Sequence, residues 1–188
     1  MNADVLKGGF ANAPVDSAHA FRVLMNVMAR PGTIEDLAGA VPPAPLSVAA
    51  GVLILTLCDP ETPVALCGAV DCAAVRDWIS FHVGAPVVAP EQAMFAVGRW
   101  EDLGVLDRFA IGTPEYPDRS ATLIVEMDTL DSNGATLSGP GIKETSSLSL
   151  PDVAVFQKNA MLFPLGLDFY FTEGSRVAAL PRTTKVVA

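Results

Sequence analysis

The longest stretch without a charged residue covers residues 37–58, and Pro42, Pro43 and Pro45 break it. Only residues 46–58, 13 positions, run on uninterrupted, whereas a membrane-spanning helix needs about 20 apolar residues. The apolar content must therefore be buried in short pieces within a packed domain. At 188 residues the chain is expected to form a single domain over residues 1–188, because chains divide at roughly 250–300 residues.

The pieces alternate in kind. Phe21, Leu24, Met25 and Met28 fall on one helical stripe, with Asp16 or Ser17 as the expected cap and Arg30-Pro31-Gly32 as the stop. Ser47 opens a second run through Val48, Leu53, Ile54 and Leu57, stopped at Asp59-Pro60. Its alanines favour a buried helix, although residues 52–57 suit a strand equally. Residues 63–66 read as a short strand. Asp71 is expected to cap a helix carrying Val75, Trp78, Ile79 and His82. A strand at 94–97 and a helix at 101–110 follow. Residues 122–127 are the most strand-like segment, and residues 135–137 are expected to pair with them across Asn133-Gly134, a hairpin turn signal. Pro151 is expected as a first helical residue, ahead of Val153 and Phe156. The end reads as a hairpin, 167–171 and 176–180 around Glu173-Gly174-Ser175. Helices interleaved with strands predict an α/β layered domain with a mixed sheet.

Composition narrows the function. Twelve Lys and Arg against 21 Asp and Glu, a net charge of −9, argue against a general nucleic-acid or anionic-membrane binder. A mean hydropathy of +0.39 with only 18% charged residues favours an obligate oligomer that hides apolar surface against partners. Cys58, Cys67 and Cys72 are odd in number and irregularly spaced, and no signal peptide precedes Gly8-Gly9, so a reduced, cytoplasmic protein is expected.

No complete catalytic motif is present. There is no P-loop sequence, and Gly139-Pro140-Gly141-Ile142-Lys143-Glu144 lacks the third glycine of a dinucleotide fingerprint. Its plain reading is a tight turn with glycine at positive φ. His19 and His82 stand far apart, and Cys67 and Cys72 lack the second pair of a zinc site, so no metal is expected. Catalytic residues stay unassigned. Leu180-Pro181-Arg182-Thr183-Thr184-Lys185 sets two cations and two hydroxyls after an apolar strand in an acidic chain. Such groups suit phosphate or phosphonate oxygens, or carboxylates of a partner; a solvated tail is the alternative. Arg22 sits beside the first apolar stripe and either meets an anion or snorkels. Candidate anion contacts are thus Arg22, Gly139, Gly141, Arg182, Thr183 and Thr184. Asp168 interrupts an apolar strand and needs a partner there.

In order along the chain stand Phe21-Arg22-Val23-Leu24-Met25 with Met28-Ala29-Arg30-Pro31-Gly32, then Leu55-Thr56-Leu57-Cys58-Asp59 with Thr62-Pro63-Val64. Phe81-His82-Val83-Gly84-Ala85-Pro86 follows, then Gly112-Thr113 with Ser120-Ala121-Thr122-Leu123, and Leu137-Ser138-Gly139-Pro140-Gly141-Ile142. Phe163-Pro164-Leu165-Gly166-Leu167-Asp168 and Pro181-Arg182-Thr183-Thr184 complete the set. Together these stretches, within residues 16–186, resemble the PhnH family, a subunit of the bacterial carbon–phosphorus lyase system. The resemblance implies a three-layer α/β/α fold similar to the large domain of PLP-dependent transferases but without PLP. It implies a homodimer among other carbon–phosphorus lyase core subunits. It also implies a part in exchanging the adenine of ATP, the substrate of the complex, for an alkylphosphonate, giving a ribose 1-phosphonate 5-triphosphate. The expected role is structural or ligand-binding, with phosphonate or ATP contact left open. A free-standing small-molecule transferase is the competing reading.

Overall fold

In the computed structural model, which describes residues 7–188, apolar side chains alternate across a six-stranded mixed sheet. Its strands are β1 (Glu35–Asp36), β2 (Val64–Leu66), β3 (Phe95–Arg99), β4 (Thr122–Glu126), β7 (Asp168–Glu173) and β8 (Arg176–Leu180), in the order β1-β8-β7-β4-β3-β2. The four strands β2, β3, β4 and β7 run parallel, and β7–β8 and β8–β1 are antiparallel. Because strand side chains alternate with period two, Leu66, Val97, Ile124, Tyr170 and Val177 face one core. Ala65, Ala96, Leu123, Phe169, Phe171 and Leu180 face the other.

The first face is covered by α1 (Ala13–Ala29), α2 (Val48–Leu57) and α3 (Ala73–His82). The helix α2 is apolar all round and is buried from Ala49 to Ile54, as a helix with no polar face must be. Ser47 caps it as expected, its hydroxyl accepting from the Ala50 N–H at 3.1 Å.

The second face differs from the α/β/α expectation. It is covered by α4 (Trp100–Leu103) and α5 (Val153–Ala160) together with a separate antiparallel sheet of β5 (Ala135–Ser138), β6 (Ser146–Leu148) and β9 (Lys185–Val187). Phe156 of α5 anchors this layer, edge-on to Phe169 and Phe171 at 4.9 and 5.7 Å. Full burial of a side chain of that size stabilises by about 1.5–3 kcal/mol.

Several local expectations are corrected. The helix α1 starts at Ala13 with Asn12 as N-cap; Asp16 lies inside it and accepts from the Asn12 N–H. Its buried stripe is Ala20, Leu24 and Val27, whereas Phe21 and Met25 are 47% and 50% exposed. Two adjacent flanks of the helix are apolar, so periodicity alone does not select the inner one. Cys72, not Asp71, is the N-cap of α3, because the Asp71 carboxylate is taken by Arg76. The helix expected over residues 101–110 ends at Leu103, where Gly104 turns to φ +66°. Asp152 rather than Pro151 opens α5, accepting from the Ala154 and Val155 N–H groups. Residues 135–137 do not pair with β4: both neighbours of β4 are parallel strands, and β5 joins β6 and β9 instead.

Candidate functional site

Three loops meet where α1 ends, and glycines make their approach possible. Gly141 adopts φ +80°, and a Cβ there would lie 1.8 Å from the Ala29 carbonyl oxygen. Gly139 adopts φ +129°, its missing Cβ directed 3.2 Å from the Thr183 carbonyl oxygen and 3.8 Å from the Lys185 nitrogen. A side chain at Gly32 would meet the Ser146 hydroxyl. The Gly139-Pro140-Gly141 turn is thus clasped between the end of α1 and the link from β8 to β9. Of the six residues singled out as anion contacts, Gly139, Gly141, Thr183 and Thr184 come together here. Thr184 is 2% exposed with its hydroxyl unpartnered, and Thr183 is half-buried.

Arg182 has a different role. Its guanidinium holds both Asp168 oxygens, Nε to Oδ1 at 3.1 Å and Nη2 to Oδ2 at 2.5 Å. The Arg182 backbone N–H also donates to Asp168 Oδ1 at 2.9 Å. Nη1 donates to the Pro117 carbonyl at 2.8 Å and reaches the Pro164 carbonyl at 3.5 Å, while Nη2 also donates to the Ser120 hydroxyl. With side chains 11% and 23% exposed, this pair is a clamp between β7, the turn after β8 and two loops. Its donors are engaged within the chain, so Arg182 is a strut of the junction rather than a free anion ligand. Arg22 lies exposed along α1 and forms no part of the cluster.

Concavities among the described residues lie elsewhere. An apolar cleft of about 680 Å³ is walled by Trp100, Val105, Leu106, Ile111, Val155 and Leu162, beside the exposed Met161 and Phe163. A smaller crevice of about 220 Å³ opens at the carboxyl ends of β3 and β4 and holds Ser47, Arg99, Asp102, Glu126 and Asp128, a common ligand position in α/β sheets. Glu126 accepts from the Ser47 N–H at 2.8 Å and the Thr172 hydroxyl at 2.9 Å. Burial nevertheless raises its pKa above the ordinary carboxylate range, outweighing those bonds. Arg99 is paired with Asp128. Among the described residues, no three His, Cys, Asp or Glu side chains are placed to hold a metal ion.

Comparison with known proteins gives the lineage. A family model described as bacterial phosphonate metabolism protein (PhnH) matches residues 8–187. The chain belongs to the PhnH family. It is 41% identical to a Rhizobium meliloti (strain 1021) protein named alpha-D-ribose 1-methylphosphonate 5-triphosphate synthase subunit PhnH, covering 98% of this chain and 96% of that one. It is 28% identical to a Stutzerimonas stutzeri protein named putative C-P lyase subunit protein HtxG, over 95% and 94% of the two chains. Within this PhnH chain, the glycine turn and the threonines that residue chemistry singles out lie together, and Asp168, which it marks as needing a partner, has one in Arg182. Glu126 looks like an ordinary strand terminus in the sequence and Arg30 like part of a helix stop, so neither is marked as a candidate there.

Proposed function

We propose that this protein is a subunit of a carbon–phosphorus lyase complex in organic phosphonate catabolism. It is needed there to form alpha-D-ribose 1-alkylphosphonate 5-triphosphate from ATP and an alkylphosphonate. The observation that carries this reading is the 41% identity, over nearly the whole of both chains, to a synthase subunit of that name.

The surface is consistent with a part played in company. Phe21, Met25, Val105, Met161, Leu162 and Phe163 are large apolar side chains left exposed, which the association of subunits would cover. In this reading the chain is a homodimer that joins other core subunits in the cytoplasm. The free state of Cys58, Cys67 and Cys72 agrees with a reducing compartment, and no helix among the described residues is long and apolar enough to cross a membrane. The domain is read as a relative of the large domain of PLP-dependent transferases that works without that cofactor. In support, Lys143, Lys158 and Lys185 are all exposed, a poor setting for a Schiff-base lysine, which needs desolvation to lower its pKa. ATP is then a substrate of the whole complex.

The test is phosphonate-dependent release of adenine from ATP by the reconstituted sibling subunits, with and without this chain. Release that requires the chain, with none from the chain alone, is expected. Undiminished release without it overturns the proposal, and release by the chain alone makes it a free-standing transferase.

A further inference from the structure

Part of the chain's positive charge is neutralised from within. Arg76, Arg99, Arg108, Arg176 and Arg182 each pair with a carboxylate, and Arg119 stacks over the Tyr116 ring at 4.0 Å. Among the described residues, Arg22, Arg30, Lys143, Lys158 and Lys185 form no ion pair. In a chain with 21 acidic residues, unpaired cations gathered in one place call for a reason.

Three of these five stem from the segments that converge on the Gly139-Pro140-Gly141 turn. Arg30 follows Ala29, whose carbonyl packs against Gly141; Lys143 stands two residues beyond Gly141; and the Lys185 nitrogen lies beside Gly139. Gly139 and Gly141 are at most about 7.6 Å apart along the chain, so the three side chains leave the backbone within one small area. All three are exposed, on stems long enough to converge. Lys185 pairs in register with Ser138 across β5 and β9, so both side chains emerge on the same side. Thr183 adds a half-buried hydroxyl. The one carboxylate adjacent in sequence, Glu144, is exposed and makes no bond to Lys143.

We infer that this junction binds a tetrahedral phosphorus oxyanion, with Arg30, Lys143 and Lys185 supplying the charge and Thr183 a hydrogen bond. Arginine and lysine donors around a hydroxyl suit phosphate and phosphonate alike. The site rests on the geometry alone, whereas the choice of phosphorus over sulfur oxyanions rests on the function proposed above.

Binding is measured on the isolated full chain by calorimetry and by phosphorus NMR line broadening, at constant ionic strength. The probes are methylphosphonate and tripolyphosphate, with sulfate for comparison. Saturable binding of at least one phosphorus probe is expected, and which probe binds distinguishes a phosphonate from a nucleotide polyphosphate as the source. The triple variant Arg30→Gln, Lys143→Gln, Lys185→Gln is expected to lose about tenfold or more in affinity. The charge-matched variant Arg76→Gln, Arg108→Gln, Lys158→Gln is expected to bind like the parent. All six positions are exposed, so both variants should fold, and circular dichroism checks this. No saturable binding by the parent, or equal losses in the two triple variants, overturns the site. Sulfate binding as tight as either phosphorus probe overturns the assignment to phosphorus. Because no partner subunit is present, failure here leaves the adenine-release test of subunit function standing.

Discussion

Replacing Arg182 with alanine is expected to weaken the fold, for reasons that can be put in numbers. An exposed ion pair contributes about 0–1 kcal/mol, and breaking a fully buried one costs about 3–5 kcal/mol because the remaining charge is stranded. The Arg182–Asp168 pair lies between these limits, with side chains 11% and 23% exposed. Truncation leaves Asp168 with the residue-182 backbone N–H and takes the side-chain donor from the Pro117 carbonyl and the Ser120 hydroxyl. A loss of about 2–3 kcal/mol follows, which lowers the melting temperature of a domain this size by about 5–10 °C. Urea unfolding of the parent, Arg182→Ala, Asp168→Ala and the double variant measures the coupling, expected at about 1.5 kcal/mol or more. Arg182→Lys should recover only part of it, because an ammonium cannot reproduce the fork that grips both Asp168 oxygens. A loss below about 0.5 kcal/mol, or additivity of the two single changes within that margin, refutes the clamp. It would return Arg182 to the solvent-facing anion contact that the sequence suggested.

Three further outcomes are expected. The folded pKa of Glu126 is raised by burial, so the folded state binds its proton more tightly than the unfolded chain does. Its charge therefore costs stability as pH rises, and Glu126→Gln should gain on the parent as pH rises above the ordinary Glu value of about 4.3; parallel urea-stability curves would exclude this. Burial pushes the Cys58 thiol up to about 12 and raises Cys67 as well. Iodoacetamide at pH 8 should thus label chiefly Cys72 in the native protein, and rapid labelling of Cys58 would contradict its burial. Gly141→Ala drives a Cβ into the Ala29 carbonyl, whereas Gly174→Ala at φ +57° meets nothing within 4 Å. The second should cost only the left-handed backbone penalty of about 1–2 kcal/mol and the first clearly more, as denaturant midpoints would show.

The parts of the fold legible in the sequence were those decided locally. Ser47 announced the start of α2, and Glu173-Gly174-Ser175 announced the β7–β8 hairpin, because a cap and a turn depend on a few neighbouring residues. What failed was decided at a distance. Asn133-Gly134 carries a real turn signal, and Gly134 does take φ +103°. Yet β4 finds β7 as its partner, through a register that sets Thr122 against Asp168, and no nearby residue reports that pairing. In α1 the inner and outer flanks were equally apolar, so the choice of stripe waited on where α2 and the sheet lay. The three-stranded sheet over the second face was invisible for the same reason, since β6, α5, β7 and β8 all intervene in the chain between β5 and the β9 it pairs with.

The site divides along the same line, and the division shows how a lone cation in an acidic chain is to be interpreted. Arg182 and Asp168 were each conspicuous, one as a charge beside hydroxyls and the other as a carboxylate in an apolar strand. The hairpin register sets Phe169 against Leu180, so the residue before Phe169 lies across from the turn that follows Leu180. The two oddities are each other's explanation, and a hairpin read correctly from the sequence already contained it. Lys185 stands in the conspicuous segment after β8, whereas Arg30 and Lys143 pass in the sequence for parts of a helix stop and of a glycine turn. Only the glycine contacts, which bring three separated segments within a side chain's reach, make them a group. A charge that has its partner inside the fold serves stability. The charges that the fold assembles and leaves unpaired are the ones available to a ligand.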